Sequence, residues 1–210
     1  MISSIAHYLN PEFLISTLGL IGIYAIVFAE SGLFFGFFLP GDSLLFTAGL
    51  FASQGVFGII PLVLGIFIAA VLGDTVGYMF GRKVGPALFS REDSFFFSKN
   101  HAHKASEFYE KHGKKAIILA RFIPVIRTFA PIVAGIGKMK YKTFMAYNVI
   151  GGAIWTGLLT LSGYFLGKII PGIGTYLNYI IVVIIFISII PIVFEWVRSR
   201  KNDKQKKIII

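Results

Sequence analysis

The chain contains no cysteine, which excludes disulfides, thiolate metal sites and thiol nucleophiles. Acids are nearly as scarce: 10 Asp and Glu stand against 20 Lys and Arg, and charged residues of both signs make up only 14% of the 210 positions. Enzyme signatures are missing as well. There is no Gly-rich phosphate loop, no G-x-S-x-G and no H-E-x-x-H, so no catalytic residue and no cofactor is assigned. His101-Ala102-His103 sits in a charged stretch with no helical partner four residues away, and reads as solvated loop rather than a metal site.

What is abundant is apolar. The sequence is 56% hydrophobic with 22 Phe and a mean hydropathy of +0.78, the composition of an all-α integral membrane protein. Residues 13–29, 57–80, 144–167 and 175–197 are each long enough to cross about 30 Å of hydrocarbon as helices. Two further apolar stretches, 31–54 and 116–137, are interrupted by Pro and Gly. The residues before Phe13 hold no Lys or Arg, so a cleavable signal peptide is not expected.

A formal charge of +10 suggests nucleic acid until the basic residues are located. Eight lie in 82–115, three in 138–142 and six in 198–207, all flanking apolar segments. That is the positive-inside pattern, which places these stretches in the cytoplasm. No basic patch is interleaved with aromatics on a soluble module, so nucleic acid is not the expected partner. Residues 99–112 read as a short amphipathic helix resting at the interface and ending at Gly113.

The sequence repeats itself at an offset of 86 positions. Gly77-Tyr78, Gly81 and Arg82 recur as Gly163-Tyr164, Gly167 and Lys168, and Ala48-Gly49 recurs as Ala134-Gly135. Each unit is a broken apolar segment followed by one spanning helix. If the broken segments are re-entrant hairpins, the second unit is inverted, and the positions of Lys115, Lys138 and the basic tail agree with that topology. The expected architecture is an inverted repeat of hairpin plus spanning helix, with additional N- and C-terminal spanning helices. It forms one domain over 1–197, with hairpins at 31–54 and 116–137, a cytoplasmic loop at 82–115 and a basic tail at 198–210. Both termini are then cytoplasmic. A kinked spanning helix is the alternative for each broken segment.

The charges inside these segments are the candidate site. Arg121 and Arg127 flank Pro124, and Pro40-Gly41-Asp42 marks a turn in the first hairpin, where Gly41 is expected to supply unusual backbone angles. The 86-residue offset sets Gly41 opposite Arg127 and Asp42 opposite Thr128, so the tips bring an acid and a base to equivalent places. An arginine at mid-membrane costs roughly 2.5–3.5 kcal/mol on the insertion scale, and such residues face protein or a water-filled cavity. Two guanidinium forks in one cavity suit a lipid phosphate. Glu30 and Asp42, acids in a poorly hydrated cavity, suit proton carriage; a packing ion pair is the alternative for Asp42, and a helix-end cap for Glu30. Asp74 is expected to pair with Arg82 or a hairpin backbone donor. Asn148 is expected to bond a hairpin carbonyl, and Trp155 and Tyr164 to pack or to sit at the membrane interface rather than to serve as substrate aromatics.

The run Glu30, Phe38-Leu39-Pro40-Gly41-Asp42, Gly73-Asp74, Gly77-Tyr78, Gly81-Arg82, Arg121-Phe122-Ile123-Pro124 with Arg127, Ala134-Gly135, Met139, Phe144, Asn148, Trp155 and Gly163-Tyr164 resembles the DedA family. The fold of that family is shared with eukaryotic VTT-domain lipid scramblases. The resemblance implies a bacterial inner-membrane lipid transporter driven by the proton motive force, with Glu30, Asp42, Arg121 and Arg127 as the required charges. Its implied substrates are undecaprenyl phosphate, a polyprenyl phosphate, and in some members the phospholipid phosphatidylethanolamine. Protons, or sodium in their place, are the coupling partner, and a homo-oligomer is left open. Two other functions compete: a proton- or sodium-coupled carrier of a small ion or osmolyte, and a non-transporting membrane assembly or cell-division factor.

Overall fold

The computed structural model describes residues 11–33, 39–90 and 116–170. The expected helices at 99–112 and 175–197, the pair His101 and His103, and the tail 198–210 lie outside the described residues. Six helices make up the regular structure there: α1 Pro11–Gly32, α2 Gly41–Ser53, α3 Ile59–Ser90, α4 Ala116–Ala120, α5 Pro124–Ile136 and α6 Tyr141–Ile169.

Two of them are long and apolar enough to cross a membrane: Ile59–Val84 within α3, mean hydropathy 2.3, and Tyr141–Ile169, 1.5. α3 runs past Arg82, where a loop was expected to begin, as far as Ser90. Arg82 and Lys83 are exposed; both residue types favour helix, so they end the apolar face without ending the helix. Ile60, Leu64, Ile68 and Leu72 form an exposed stripe down α3, while Glu30, Asp74, Arg121, Arg127 and Asn148 are buried. Water as solvent would reverse that distribution, and lipid accounts for it.

α1 corrects an expectation. The apolar run 13–29 predicts one spanning helix, but Gly19 takes φ 61° and ψ −158°, outside the helical region. The straight part, 20–32, rises only about 20 Å against the roughly 30 Å required. Tyr24 donates its hydroxyl to the Pro61 carbonyl (2.8 Å) near the start of α3. At the far end Gly32 touches Gly73 midway along α3, so closely that a Cβ on Gly32 would sit 2.9 Å from the Gly73 carbonyl oxygen. α1 therefore covers half of α3 and stops inside the protein, with Glu30 buried in its last turn.

The segment 116–137 is also broken. Ile123 is extended (φ −117°, ψ 107°) and α5 begins at Pro124, whose missing N–H falls where a helix has no partner to offer. Ile117 of α4 and Ala134 of α5 share one buried cluster with Tyr78 and Phe144. Both limbs of the segment thus start from one end of the molecule.

α2 packs along α6, and α5 along α3. In the first seam Gly49 lies against the backbone of Thr160 and Tyr164; in the second, Gly135 lies against the backbone of Tyr78 and Arg82. Gly163 meets Phe46 in one, and Gly77 meets Ile132 in the other. By the 86-residue offset Gly49–Tyr164 maps onto Gly135–Tyr78 and Gly163–Phe46 onto Gly77–Ile132, while the Thr160 and Arg82 contacts belong to one seam each. The repeated glycines lie at two similar helix crossings, and at Gly49, Gly135 and Gly163 the neighbouring backbone leaves no room for a side chain.

Candidate functional site

Arg127 lies one turn into α5 and is 6% exposed. Its Nη2 donates to Oε1 of Glu30 on α1, and its Nη1 to Oδ1 of Asp42 in the first turn of α2 (2.5 Å). The guanidinium also sits over the indole of Trp155 on α6, 4.7 Å from the ring centroid, and Trp155 Nε1 donates to the same Asp42 oxygen (2.9 Å). Four helices converge on one cation. With both acids ionised this cluster holds one negative charge more than it holds positive, and Glu30 Oε2 and Arg127 Nε are buried without partners.

Six residues earlier, Arg121 occupies the turn between α4 and α5. Its Nη2 donates both to Asp74 Oδ2 on α3 and to Asn148 Oδ1 on α6, and Asn148 returns its amide to the Val71 carbonyl (3.2 Å). Gly151 makes room for the arginine stem: a Cβ there would sit 3.0 Å from Arg121 Cδ. This cluster is balanced, one cation against one acid.

Asp42 and Glu30 therefore do reach Arg127. The two arginines, however, grip different acids, because extended Ile123 turns the chain between them. Asp74 pairs with Arg121 and not with Arg82, which instead donates to the Tyr78 hydroxyl (2.9 Å). Asn148 bonds Arg121 and a carbonyl of spanning helix α3, not a hairpin carbonyl. Pro40 caps α2, and Ser43 Oγ donates to its carbonyl (3.0 Å). Gly41 is required for space and not for backbone angles: its φ is ordinary, but a Cβ would collide with the Glu30 carboxyl. Trp155, expected to be packing, is the partner that sequence reasoning missed. Its position seven residues after Asn148, on the same helical face with Gly151 and Gly152 between, was the available signal.

The sequence pattern of the VTT domain matches residues 39–165. The chain is 48% identical over 181 residues to Protein DedA of Escherichia coli (strain K12), covering 85% of this chain and 82% of that one. It is 41% identical over 201 residues to an uncharacterized membrane protein of Mycobacterium leprae, covering 95% and 90%. Inner membrane protein YqjA of E. coli (strain K12) is 34% identical over 146 residues, 70% of this chain and 66% of that one. No solved structure matches.

Proposed function

We propose, since this chain belongs to the DedA family of VTT-domain membrane proteins, that it is a proton-driven flippase for a phosphate-bearing lipid of the bacterial inner membrane. Undecaprenyl phosphate is the first candidate and phosphatidylethanolamine the second. A relative is named an inner membrane protein, and the basic turn 138–142 is assigned to the cytoplasmic face by its charge. The inverted repeat is part of this reading. It is supported by the common end from which α4 and α5 depart, by α1 and α2 both delivering an acid to Arg127, and by the matched glycine seams.

The observation that carries the mechanism is a single guanidinium shared by two carboxylates. A lipid phosphate needs the same donors, so carboxylate and phosphate compete for Arg127. A proton on Asp42 or Glu30 weakens that carboxyl's hold on the arginine and removes the excess negative charge. Protonation and phosphate binding therefore favour one another. Arg121 is the second phosphate ligand, released from Asp74 as the hairpin shifts, while Pro40, Gly41 and Pro124 set the helix ends that aim these groups.

One observation favours a packing role for Arg121 in place of phosphate binding: its cluster is charge-balanced, which is what a fastener needs. The test is translocation of labelled undecaprenyl phosphate, and separately of labelled phosphatidylethanolamine, in proteoliposomes with imposed proton or sodium gradients. We expect a proton-gradient response for at least one lipid, lost in Arg127→Lys. No movement of either lipid under any gradient overturns the proposal.

A further inference from the structure

The seam between α2 and α6 contains polar groups that the ion pairs do not use. Thr156 and Thr160 are fully buried, and their Oγ1 atoms meet no hydrogen-bond partner. A helical threonine commonly bonds the carbonyl one turn back, as Thr75 does with Val71 (2.7 Å). These two do not. Spaced four apart, they share the face that α6 turns toward α2: the Thr160 carbonyl lies against Gly49, and farther along Gly163 and Gly167 lie against Phe46 and Ser53. Immediately before Thr156, Trp155 holds Asp42.

The matching seam between α5 and α3 provides a control within the same chain. Under the 86-residue offset, Thr156 corresponds to Ala70 and Thr160 to Asp74. One has no hydroxyl and the other is held by Arg121. The pair of unpartnered hydroxyls belongs to the seam with Asp42 at its inner end, and that seam's other end is Ser53, where α2 stops.

We propose that Thr160 and Thr156 relay protons between Asp42 and the face at which α2 ends, opposite the basic turn 138–142. The proposal rests on the proton-coupled reading above. Hydroxyls one turn apart lie roughly 5–6 Å from each other at Cβ, so a water bridges each step. Each Oγ1 accepts a proton from the outer side and passes its own inward. The hydroxyls end unchanged, and the Asp42 carboxylate becomes a carboxylic acid. The charged groups facing Asp42 are Arg127 from α5 and, through it, Glu30 from α1; the acid of α3, Asp74, is held by Arg121. Farther out on α6, Lys168 lies 5.8 Å from the Tyr164 ring.

Because the chain has no cysteine, Thr156→Cys and Thr160→Cys each carry one thiol, and a small impermeant methanethiosulfonate reports water access without any transport assay. We expect labelling from the α2-end face and none from the 138–142 face. Labelling from the 138–142 face, or from neither, overturns the relay even if lipid transport is normal. In transport, Thr156→Val with Thr160→Val should slow the gradient-driven rate by about ten-fold, the order expected when the relay's bridging waters lose one hydrogen-bonding hydroxyl. The pH profile should move with it, while lipid exchange without a gradient persists. Serine at both positions should restore the response, and Thr47→Val, on another face of α2, should leave it unchanged. A valine double variant with the unmodified pH profile overturns the proposal. Absence of transport in the unmodified protein overturns the flippase reading instead, and the labelling result then stands by itself as a test of water entry.

Discussion

Arg121 and Arg127 come from the same broken segment, six residues apart, and both are buried against acids, yet their surroundings differ in two ways. The Arg121 cluster is neutral, and the Asp74 side chain is only 7% exposed. The Arg127 cluster carries an extra carboxylate, and the Asp42 side chain is 22% exposed. A neutral, closed pair exchanges with its surroundings only if the structure around it moves. A cluster with surplus charge and an opening has a reason to take up a proton or yield its cation to another anion. The comparison ranks the two arginines by how readily each can give up its acid, Arg127 before Arg121.

The comparison is most sharply broken at Arg127. Arg127→Ala leaves two buried carboxylates facing one another without a counter-charge, and we expect a loss of about 5 kcal/mol, the upper end for removing one member of a buried pair. Thermal unfolding in detergent followed by size-exclusion chromatography measures it. Arg121→Ala strands a single acid and should cost about 3 kcal/mol. Pairing Arg121→Met with Asp74→Leu should recover most of that stability, since apolar replacement of a whole buried pair is often neutral. If Arg121 also binds phosphate, transport stays low in this stable double variant; recovered transport would make Arg121 a fastener only. The smallest effect is expected from Trp155→Phe, which keeps a ring beneath Arg127 and removes one hydrogen bond to Asp42. About 1.5 kcal/mol is the expected loss, with a larger change in proton response than in stability.

Much of this was legible in the residues. Charges within apolar stretches marked the candidate site, and Asp42 facing Arg127 followed from placing two halves of a repeat in register. The glycine pairs that revealed the repeat proved to be the crossing points themselves. What the sequence hid were matters of length and reach. Residues 13–29 have the apolar content of a spanning helix, and nothing in their composition announces that Gly19 leaves the helical region. Asp74 and Arg82 are eight residues apart on one helix and looked like partners. The structure gives Asp74 to Arg121, from a turn forty-seven residues away, because a long flexible arginine over Gly151 and Gly152 can reach where a sequence-local partner cannot.

The convergence of α1, α2, α5 and α6 on Arg127 also has an electrical meaning. If, as proposed, two hairpins enter from opposite faces and meet tip to tip, the insulating layer between the two aqueous sides narrows to the ion-paired side chains themselves. A membrane voltage then falls mostly across that layer rather than evenly over the bilayer. Moving one charge through 100 mV is worth about 2.3 kcal/mol, and one pH unit about 1.4 kcal/mol, so some 60 mV is equivalent to one pH unit for a proton arriving at Asp42. Under the proposed proton coupling, voltage and acidity become interchangeable driving forces at a single carboxyl group.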